Sequence, residues 1–254
     1  MKNIIKSLHI SPKFSHKGEN GKLLIIGGSK DYHGAPMLSI LAARRFVDLV
    51  YFYPGEKDEL LLNAVKTIPE VIVLNSLKSI NKMDCILFGP GLSNAKPSLN
   101  TILKNSRKIV IDGDGLNLIK TKIPKNSILT PHEREFQNLF KLKGTKENVS
   151  KMAKKYSCVI LKKDPHGDII SNGKITEIIK GGNSGLTKGG TGDVLSGLTA
   201  ALFCTNTSFN SAVGASYLIK KTADSLKKTF GLNYCASDLS EELGHLKTSF
   251  HHSK

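Results

Sequence analysis

The chain has 254 residues, enough for one large α/β domain or two small ones with a sizeable core. No apolar run approaches the roughly 18 residues of a membrane span, and the opening MKNIIKSLHI lacks the apolar region of a signal peptide. The four cysteines are widely spaced without a C-x-x-C pair, which argues against a zinc site or a disulfide framework. We therefore expect a cytoplasmic protein that does not associate with membranes.

The chain is strongly basic, with 37 Lys and Arg against 21 Asp and Glu and a formal net charge of +16. Such a charge raises the question of nucleic-acid binding. The lysines are spread along the chain, however, without a repeated aromatic or arginine-rich pattern between them. We interpret them as a solvated basic surface that attracts an anionic small substrate such as a nucleotide, and we expect no nucleic-acid partner.

Short apolar runs alternate with longer amphipathic ones, which favours parallel strands crossed over by helices. The carboxyl ends of such strands meet at one edge of the sheet, so the residues after each run are candidates for ligand contacts. The predicted strands are residues 23–26, 49–53, 71–74, 85–88, 108–111, 127–129 and 158–161.

The later part of the chain predicts a change of architecture. Residues 169–171 and 175–177 flank Asn172-Gly173, which predicts a β-hairpin with a type I′ turn and an antiparallel margin of the sheet. Helices are predicted over 194–203 and 211–226. Without an internal repeat or linker, we expect a single domain over residues 1–254, with residues 1–20 and 250–254 peripheral.

Two glycine-rich loops follow early strands. The loop GGSKDYHGAP at 27–36 has neither the G-x-G-x-x-G spacing nor a G-K-[ST] sequence, so a dinucleotide fingerprint or a P-loop is not indicated. The segment GPGLSN at 89–94 is a turn signal after an apolar run. For both segments, a tight turn and a ligand-binding loop remain open.

Polar residues follow two further strands. In IDGDGLN, we favour a structural role for Asp112 and leave Asp114 open between an Asx turn and a water-mediated Mg²⁺ contact. In TPHEREF, Thr130 is a candidate helix cap and Pro131 a candidate first helical residue. That pattern does not require His132, whose imidazole could contact a ligand.

The densest glycine cluster is GGNSGLTKGGTGDVLSG at 181–197, just before an apolar helical run. Gly189, Gly190 and Gly192 let the backbone approach an anion closely, and a following helix adds the positive end of its dipole. Asp193 at that helix start could be a cap or a catalytic base. The density of glycines favours the base, since a cap needs a single side chain.

In this order, the motifs GGSKDYHGAP, GPGLSN, VIDGDGLNLI, LTPHEREF, LKK and GGNSGLTKGGTGDVLSG resemble the ribokinase-like superfamily, and in particular the NAD(P)H-hydrate dehydratases. The resemblance covers residues 21 to about 205 and implies a three-layer α/β/α sandwich with a mostly parallel central sheet. Lys163 departs from the family pattern, where a glycine often follows the lysine, and the DPHGD loop is altered. Some members carry an additional N-terminal epimerase domain. Since only about twenty residues precede the first predicted strand, we expect this chain to be the dehydratase alone.

The resemblance implies a reaction and a set of site residues. A nucleotide, ADP rather than ATP, would phosphorylate the C6 hydroxyl of the (6S) hydrate of NADH or NADPH with Mg²⁺, and loss of phosphate would restore the reduced dinucleotide. The implied residues are Asp193 as general base, with Gly190, Thr191 and Gly192 as the phosphoryl-binding amides; Ala35, Gly91, His132 and Asp193 for the hydrated dinucleotide; and Lys162, Lys163, Asp164, Pro165, His166 and Gly192 for the nucleotide.

Two other functions stay open from the sequence. A kinase of the same superfamily acting on a hydroxymethyl or hydroxyethyl group would use the same GTGD segment. A basic nucleotide- or nucleic-acid-binding protein without catalysis would account for the charge and the glycine loops. The resemblance also implies a homo-oligomer such as a tetramer.

Overall fold

The computed structural model describes residues 2–119 and 123–246, which form a single nine-stranded sheet flanked by helices. The strand order is β3-β2-β1-β4-β5-β6-β7-β8-β9. The strands are β1 (Lys22–Gly27), β2 (Leu49–Pro54), β3 (Val71–Val73), β4 (Cys85–Phe88), β5 (Ile109–Ile111), β6 (Ile128–Leu129), β7 (Val159–Lys162), β8 (Asp168–Ser171) and β9 (Thr176–Ile179).

The helices cross over between the strands and cover both faces of the sheet. They are α1 (Lys2–Lys6), α2 (Gly34–Ala43), α3 (Glu59–Lys66), α4 (Leu99–Asn105), α5 (Asp114–Leu118), α6 (Glu133–Phe140), α7 (Lys146–Tyr156), α8 (Thr191–Thr205), α9 (Ser208–Phe230) and α10 (Ala236–Glu242). Short 3₁₀ turns lie at Ile80–Lys82 and Ser184–Thr187.

The predicted strands are all present, and β1 to β7 pair in parallel. In β1, Leu23 and Ile25 belong to one hydrophobic cluster while Leu24 and Ile26 belong to another, because alternate side chains point to opposite faces. A strand that is buried on both faces is a continuous apolar run, which is the pattern that predicted these strands. The expected three-layer α/β/α sandwich is confirmed.

The antiparallel margin is also present, but its turn differs from the prediction. β8 pairs antiparallel with both β7 and β9, with Ser171 opposite Thr176. The amide of Asn172 donates to the carbonyl of Ile175, so the central residues of the turn are Gly173 and Lys174. Of these two, only Gly173 has a positive φ, whereas a type I′ turn requires positive φ at both. The type I′ turn at Asn172-Gly173 is therefore wrong.

The N-terminal segment lies outside the sheet but contributes to the core. Leu8 is 6% exposed and belongs to the same cluster as α8 and α9, where its side chain packs close to Gly214. Of the segment 1–20 that was predicted to be peripheral, the described residues 2–20 lie outside the sheet, and Leu8 contributes to the core. The segment 250–254 lies outside the described residues.

Helix α8 is the central helix of one layer. It is apolar nearly all round, as expected for a helix buried on every side. Its Gly197 packs directly against the backbone of Ser39 in α2, where a Cβ would lie 2.4 Å from the Ser39 carbonyl oxygen. This close approach brings the start of α8 beside the loop between β1 and α2.

Candidate active site

The first turn of α8 leaves backbone donors without acceptors. Gly190 is the N-cap with φ of 89°, a conformation that favours glycine. The Thr191 hydroxyl donates to the carbonyls of Leu186 and Lys188, at 2.7 and 2.9 Å, and so fixes the loop before the helix. The amides of Gly192 and Asp193 find no acceptor among the described residues. Free amides at a helix start form a binding site for an anion such as phosphate.

Asp193 lies in this first turn, and its carboxylate accepts no hydrogen bond from a described residue. Burial and, after it, the charge of Asp112 raise its pKa, Lys163 opposes the shift, and the net pKa is about 7. A carboxylate with a pKa near neutrality is suited to take a proton from a hydroxyl group. The Asp193 backbone carbonyl accepts a 2.9 Å hydrogen bond from the Ser39 hydroxyl, which holds this turn against α2.

A buried group of polar side chains lies at the ends of β5 to β7. Asp112 is 3% exposed and accepts hydrogen bonds from Lys163 Nζ at 2.9 Å and from the Thr130 hydroxyl at 2.8 Å. The same Nζ lies 3.9 Å from Glu135 Oε2, and burial raises the pKa of Glu135. We favoured a structural role for Asp112. In addition to accepting these hydrogen bonds, Asp112 raises the pKa of Asp193 through its negative charge.

The start of α6 differs from the prediction. Thr130 is not the helix cap, since its hydroxyl donates to Asp112, and Pro131 lies before the helix. His132 is the N-cap: its Nδ1 accepts from the amide of Glu135, whose carboxylate accepts from the amide of His132. The histidine that the helix-start pattern did not require is the residue that caps the helix.

The two lysines after β7 have different environments. Lys162 Nζ is bound by Asp164 and, at 2.7 Å, by Glu133, and its side chain is only 4% exposed. Lys163 turns the other way, toward Asp112, and its amide donates to the carbonyl of Pro131 at 2.8 Å. The ammonium group of Lys162 is therefore held by Glu133 and Asp164, and that of Lys163 lies at Asp112, beside Gly192 in the first turn of α8.

A cavity of about 450 Å³ opens beside the first turn of α8. Among the predicted site residues, it is lined by Lys163, Asp164, Pro165, His132, Thr191 and Gly192. Lys162 and His166 do not line it. His166 donates its amide to Asp164 Oδ1 and so shapes the loop.

The far side of the cavity is formed by residues that were not predicted from the sequence to belong to the site. Lys220 of α9 lies 3.3 Å from Asp168 Oδ1, and the Ser216 hydroxyl donates to Asp168 Oδ2. Asn183 lines the cavity and accepts a hydrogen bond from the Tyr234 hydroxyl at 2.8 Å. Asn183 and Asp168 lie within or beside quoted motifs, but Lys220 is one of many lysines and carries no local signal.

Ala35 and Gly91 lie together, outside the lining of this cavity. A Cβ on Gly91 would lie 3.0 Å from the Cβ of Ala35, and Gly91 has φ of 66°. The Ser39 hydroxyl that contacts the Asp193 carbonyl also lies 3.2 Å from the carbonyl of Ala35. The first turns of α2, and the loop after β4 that contains Gly91, are thereby held beside the start of α8.

The family of the chain follows from its similarity to known proteins. A model of the NAD(P)H-hydrate dehydratase family matches residues 23–245. The chain belongs to this family. It is 38% identical over 259 residues to the bifunctional NAD(P)H-hydrate repair enzyme Nnr of Methanocaldococcus jannaschii, covering 94% of this chain and 50% of that one. It thus spans about half the length of this relative.

Two further proteins match most of this chain and most of their own length. An ADP-dependent (S)-NAD(P)H-hydrate dehydratase of Nitrosopumilus maritimus is 34% identical, covering 93% of this chain and 91% of that protein. The crystal structure of an ADP/ATP-dependent NAD(P)H-hydrate dehydratase of Bacillus subtilis, co-crystallized with ATP and Mg²⁺, superposes with a TM-score of 0.84 at 23% identity, covering 98% of this chain and 97% of that chain. That likeness establishes the shared fold.

The carboxylates of the described residues do not cluster into a metal-binding site. No group of three or more His, Cys, Asp or Glu within residues 2–119 and 123–246 could hold a metal ion. Asp112 is paired with Lys163, and Asp114 accepts a 2.8 Å hydrogen bond from the amide of Ser93.

Among residues 2–119 and 123–246, no helix combines the length and the apolar composition that are needed to span a lipid bilayer.

Proposed function

We propose that this protein dehydrates the (6S) hydrate of NADH or NADPH, with ADP as phosphoryl donor. One observation carries the proposal: Asp193, with a pKa of about 7, lies in the first turn of α8, and Thr191 and Gly192 of that turn line a cavity of about 450 Å³. A base and an anion site in the same turn are what phosphoryl transfer to a hydroxyl group requires. Family membership supplies the substrate class.

The proposed reaction has two steps. The C6 hydroxyl oxygen attacks the terminal phosphorus of ADP, its proton passes to Asp193, and AMP leaves with the electron pair of the broken P–O bond. The C6–O bond then breaks with inorganic phosphate as leaving group, and loss of the C5 proton forms the C5=C6 double bond. Phosphate leaves far more readily than hydroxide, so a kinase-like site can serve a net dehydration.

The predicted site residues have three proposed roles around Asp193: they bind the hydrated dinucleotide, the phosphoryl group or the nucleotide. We assign Ala35, Gly91 and His132 to the hydrated dinucleotide, and the amides of Gly190 and Gly192 to the phosphoryl group. The Thr191 amide, which was also predicted for this role, donates instead to the Lys188 carbonyl at 3.4 Å. For the nucleotide we keep Lys162, Lys163, Asp164, Pro165, His166 and Gly192, with Lys162 and His166 acting through the shape of the loop, because their side chains do not line the cavity. Mg²⁺ bound by the phosphates of the nucleotide would neutralise part of their charge.

ADP is preferred over ATP as the donor because a relative that the chain matches over most of its length carries that name. A cytoplasmic location, a homo-oligomeric assembly and the lack of a nucleic-acid partner stay predictions from the sequence.

The test is to incubate the protein with (6S)-NADHX, ADP and Mg²⁺ and to follow the absorbance of the reduced nicotinamide. We expect AMP, inorganic phosphate and NADH in equal amounts. AMP together with a stable phosphorylated product would instead identify a small-molecule kinase. Salt-dependent oligonucleotide binding that ignores Asp193→Asn, without turnover with either ADP or ATP, would identify a non-catalytic binding protein.

A further inference from the structure

Lys163 is a lysine of the cavity wall whose ammonium group is directed into the site. The peptide of Lys163 is fixed by the hydrogen bond from its amide to Pro131, and its side chain is 21% exposed. Its Nζ donates to Asp112 at 2.9 Å, while Glu135 at 3.9 Å is beyond hydrogen-bond distance. An ammonium group has three N–H donors. The contact with Asp112 therefore holds the group in place and leaves donors for a ligand.

The ammonium group also lies over the first turn of α8. A Cβ built on Gly192 would lie 3.5 Å from Lys163 Nζ and would meet no other heavy atom within 4 Å. The free amides of Gly192 and Asp193 belong to this same turn. A phosphoryl group bound by those amides would thus lie next to the lysine.

The side chains around the first turn of α8 are mostly negative, so a phosphoryl group bound there needs a nearby cation. Asp193 has Asp112, Glu135 and Asp114 as negative neighbours, and Lys163 is the positive group that opposes them. Lys220, the other lysine that lines the cavity, is bound to Asp168 at the far side. These carboxylates would repel the negative oxygens of a phosphoryl group, and Lys163 is the protein cation placed to offset that repulsion, beside any Mg²⁺ that is bound with the nucleotide.

We propose that Lys163 is a catalytic residue whose ammonium group contacts the oxygens of the phosphoryl group during its transfer, with Asp112 as the residue that positions it. The inference rests on the proposed function. The bonds that form and break are those of the transfer step: the C6–O–P bond forms, the P–O bond to AMP breaks, and the hydroxyl proton goes to Asp193. Lys163 supplies charge and keeps its protons throughout.

The decisive experiment compares binding of AMP alone with binding of AMP plus aluminium fluoride, a planar mimic of the phosphoryl group in transfer, by calorimetry. The wild type should bind AMP with aluminium fluoride more tightly than AMP alone. In Lys163→Met that gain should be about 100-fold smaller. Affinity for AMP alone should hardly change, because Lys163 is assigned to the phosphate that is transferred, which AMP lacks. Lys163→Arg should keep part of the gain. Lys151→Met, at an exposed position of α7, is the control for the loss of one positive charge.

Turnover gives the second readout. Lys163→Met should lower kcat about 100-fold with little change in KM for ADP, and Lys163→Gly should regain activity when ethylammonium is added. Because Lys163→Met leaves the buried Asp112 unpaired, the double variant Lys163→Met/Asp112→Asn provides a neutral pair that preserves the fold. It should also lack the gain with aluminium fluoride.

The possible results separate the two proposals. If Lys163→Met or the folded double variant binds AMP with aluminium fluoride as tightly as the wild type, Lys163 is not catalytic. If affinity for AMP alone falls as much as the gain does, the lysine serves ground-state binding and the inference is likewise overturned. A wild type that shows the gain but restores no NADH contradicts the proposed substrate and leaves the role of Lys163 supported.

Discussion

The Nζ of Lys163 donates a 2.9 Å hydrogen bond to Oδ1 of Asp112, which joins two strand ends that are 51 residues apart in sequence. The two partners act on Asp193 in opposite directions: after burial, the negative charge of Asp112 is the largest cause that raises the Asp193 pKa, and Lys163 lowers it. The pKa of about 7 is thus a balance between burial and this ion pair. The pair sets the pH at which the base becomes active.

The rate of the wild-type enzyme should follow the ionisation of Asp193. Only the deprotonated carboxylate can accept the hydroxyl proton, so kcat should rise about tenfold per pH unit below pH 7 and level off above it. The measurement is kcat between pH 5.5 and 8.5 at saturating ADP and hydrate. A rate that is flat over this range would contradict Asp193 as the base.

Asp112→Asn should move this pH profile to lower pH. The substitution removes the negative charge that raises the Asp193 pKa, and it frees the positive charge of Lys163 to act on Asp193. Both effects lower the apparent pKa, although kcat at high pH should also fall because Lys163 loses its positioning contact. Glu241→Gln, at an exposed position of α10, removes one negative charge elsewhere and should leave the profile unchanged. A shift to higher pH would overturn this account of Asp193.

Asp193→Asn should stabilise the fold at pH 8 while lowering kcat by about 100-fold or more. The raised pKa means that the unfolded chain releases the Asp193 proton near pH 4 but the folded protein only near pH 7. The contribution of Asp193 to the wild-type free energy of unfolding is therefore fully present below about pH 4. It falls by up to about 4 kcal/mol as the pH rises through 7. Asparagine is neutral at every pH and avoids this loss.

Urea unfolding of the wild type and Asp193→Asn at pH 4.5 and pH 8 tests this prediction. The free energy of unfolding of the variant should exceed that of the wild type at pH 8, and the difference should shrink toward pH 4.5. A variant that is less stable than the wild type at pH 8 would show that the Asp193 carboxylate is stabilised by contacts rather than strained by burial.

Three glycines of one segment should respond differently to alanine. At Gly190 a Cβ would lie 2.3 Å from Leu38 Cδ1, and φ is 89°, so Gly190→Ala should lower the free energy of unfolding by about 1–3 kcal/mol. At Gly192 the Cβ fits the fold but fills the space below Lys163 Nζ. Gly192→Ala should therefore keep or raise stability by up to about 1 kcal/mol and still abolish nucleotide turnover.

Gly189→Ala is the matched control for both variants, because a Cβ there meets no atom within 4 Å and φ is not positive. It should change neither stability nor turnover. The measurements are urea unfolding and kcat/KM for ADP. A Gly192→Ala variant with normal turnover would show that phosphate does not approach this turn.

The strands and the order of the site loops were predictable because each signal is local. A strand buried on both faces is a short apolar run, and the next residues must lie at the carboxyl edge of the sheet. The start of α8 was placed late, at residue 194 rather than Thr191, because its cap is Gly190 and offers no side-chain signal.

The features that sequence could not predict depend on contacts between distant segments. Thr130 has the residue type and position of a helix cap, yet its hydroxyl is taken by Asp112, 18 residues earlier. The different environments of Lys162 and Lys163 are decided by Glu133 and Asp112, which lie in other elements. Local patterns identify which side chains are available, but only the packed fold determines which partner each one meets.

Lys162→Met should destabilise the loop after β7 without removing a group from the cavity. Lys162 Nζ joins Glu133 of α6 to Asp164 of the loop, and its side chain is 4% exposed. Its removal should lower the free energy of unfolding by about 1–3 kcal/mol, less than for a fully buried ion pair because Glu133 is 44% exposed and can be solvated. KM for ADP should rise several-fold, since Asp164 and Pro165 line the cavity.

The ionisation of Glu133 provides an independent readout of the same variant. The amide of Gly144, followed by Lys162, lowers the Glu133 pKa to about 2, so its charged form stabilises the fold above about pH 4.5 and this contribution is lost as the pH falls toward 2. In Lys162→Met the Gly144 amide remains, so the pKa measured by carboxyl NMR should rise only part of the way to its ordinary value. Lys151→Met should leave that pKa, the stability and KM unchanged. If Lys162→Met raised KM without moving the Glu133 pKa, Lys162 would contact the nucleotide directly instead of holding the loop.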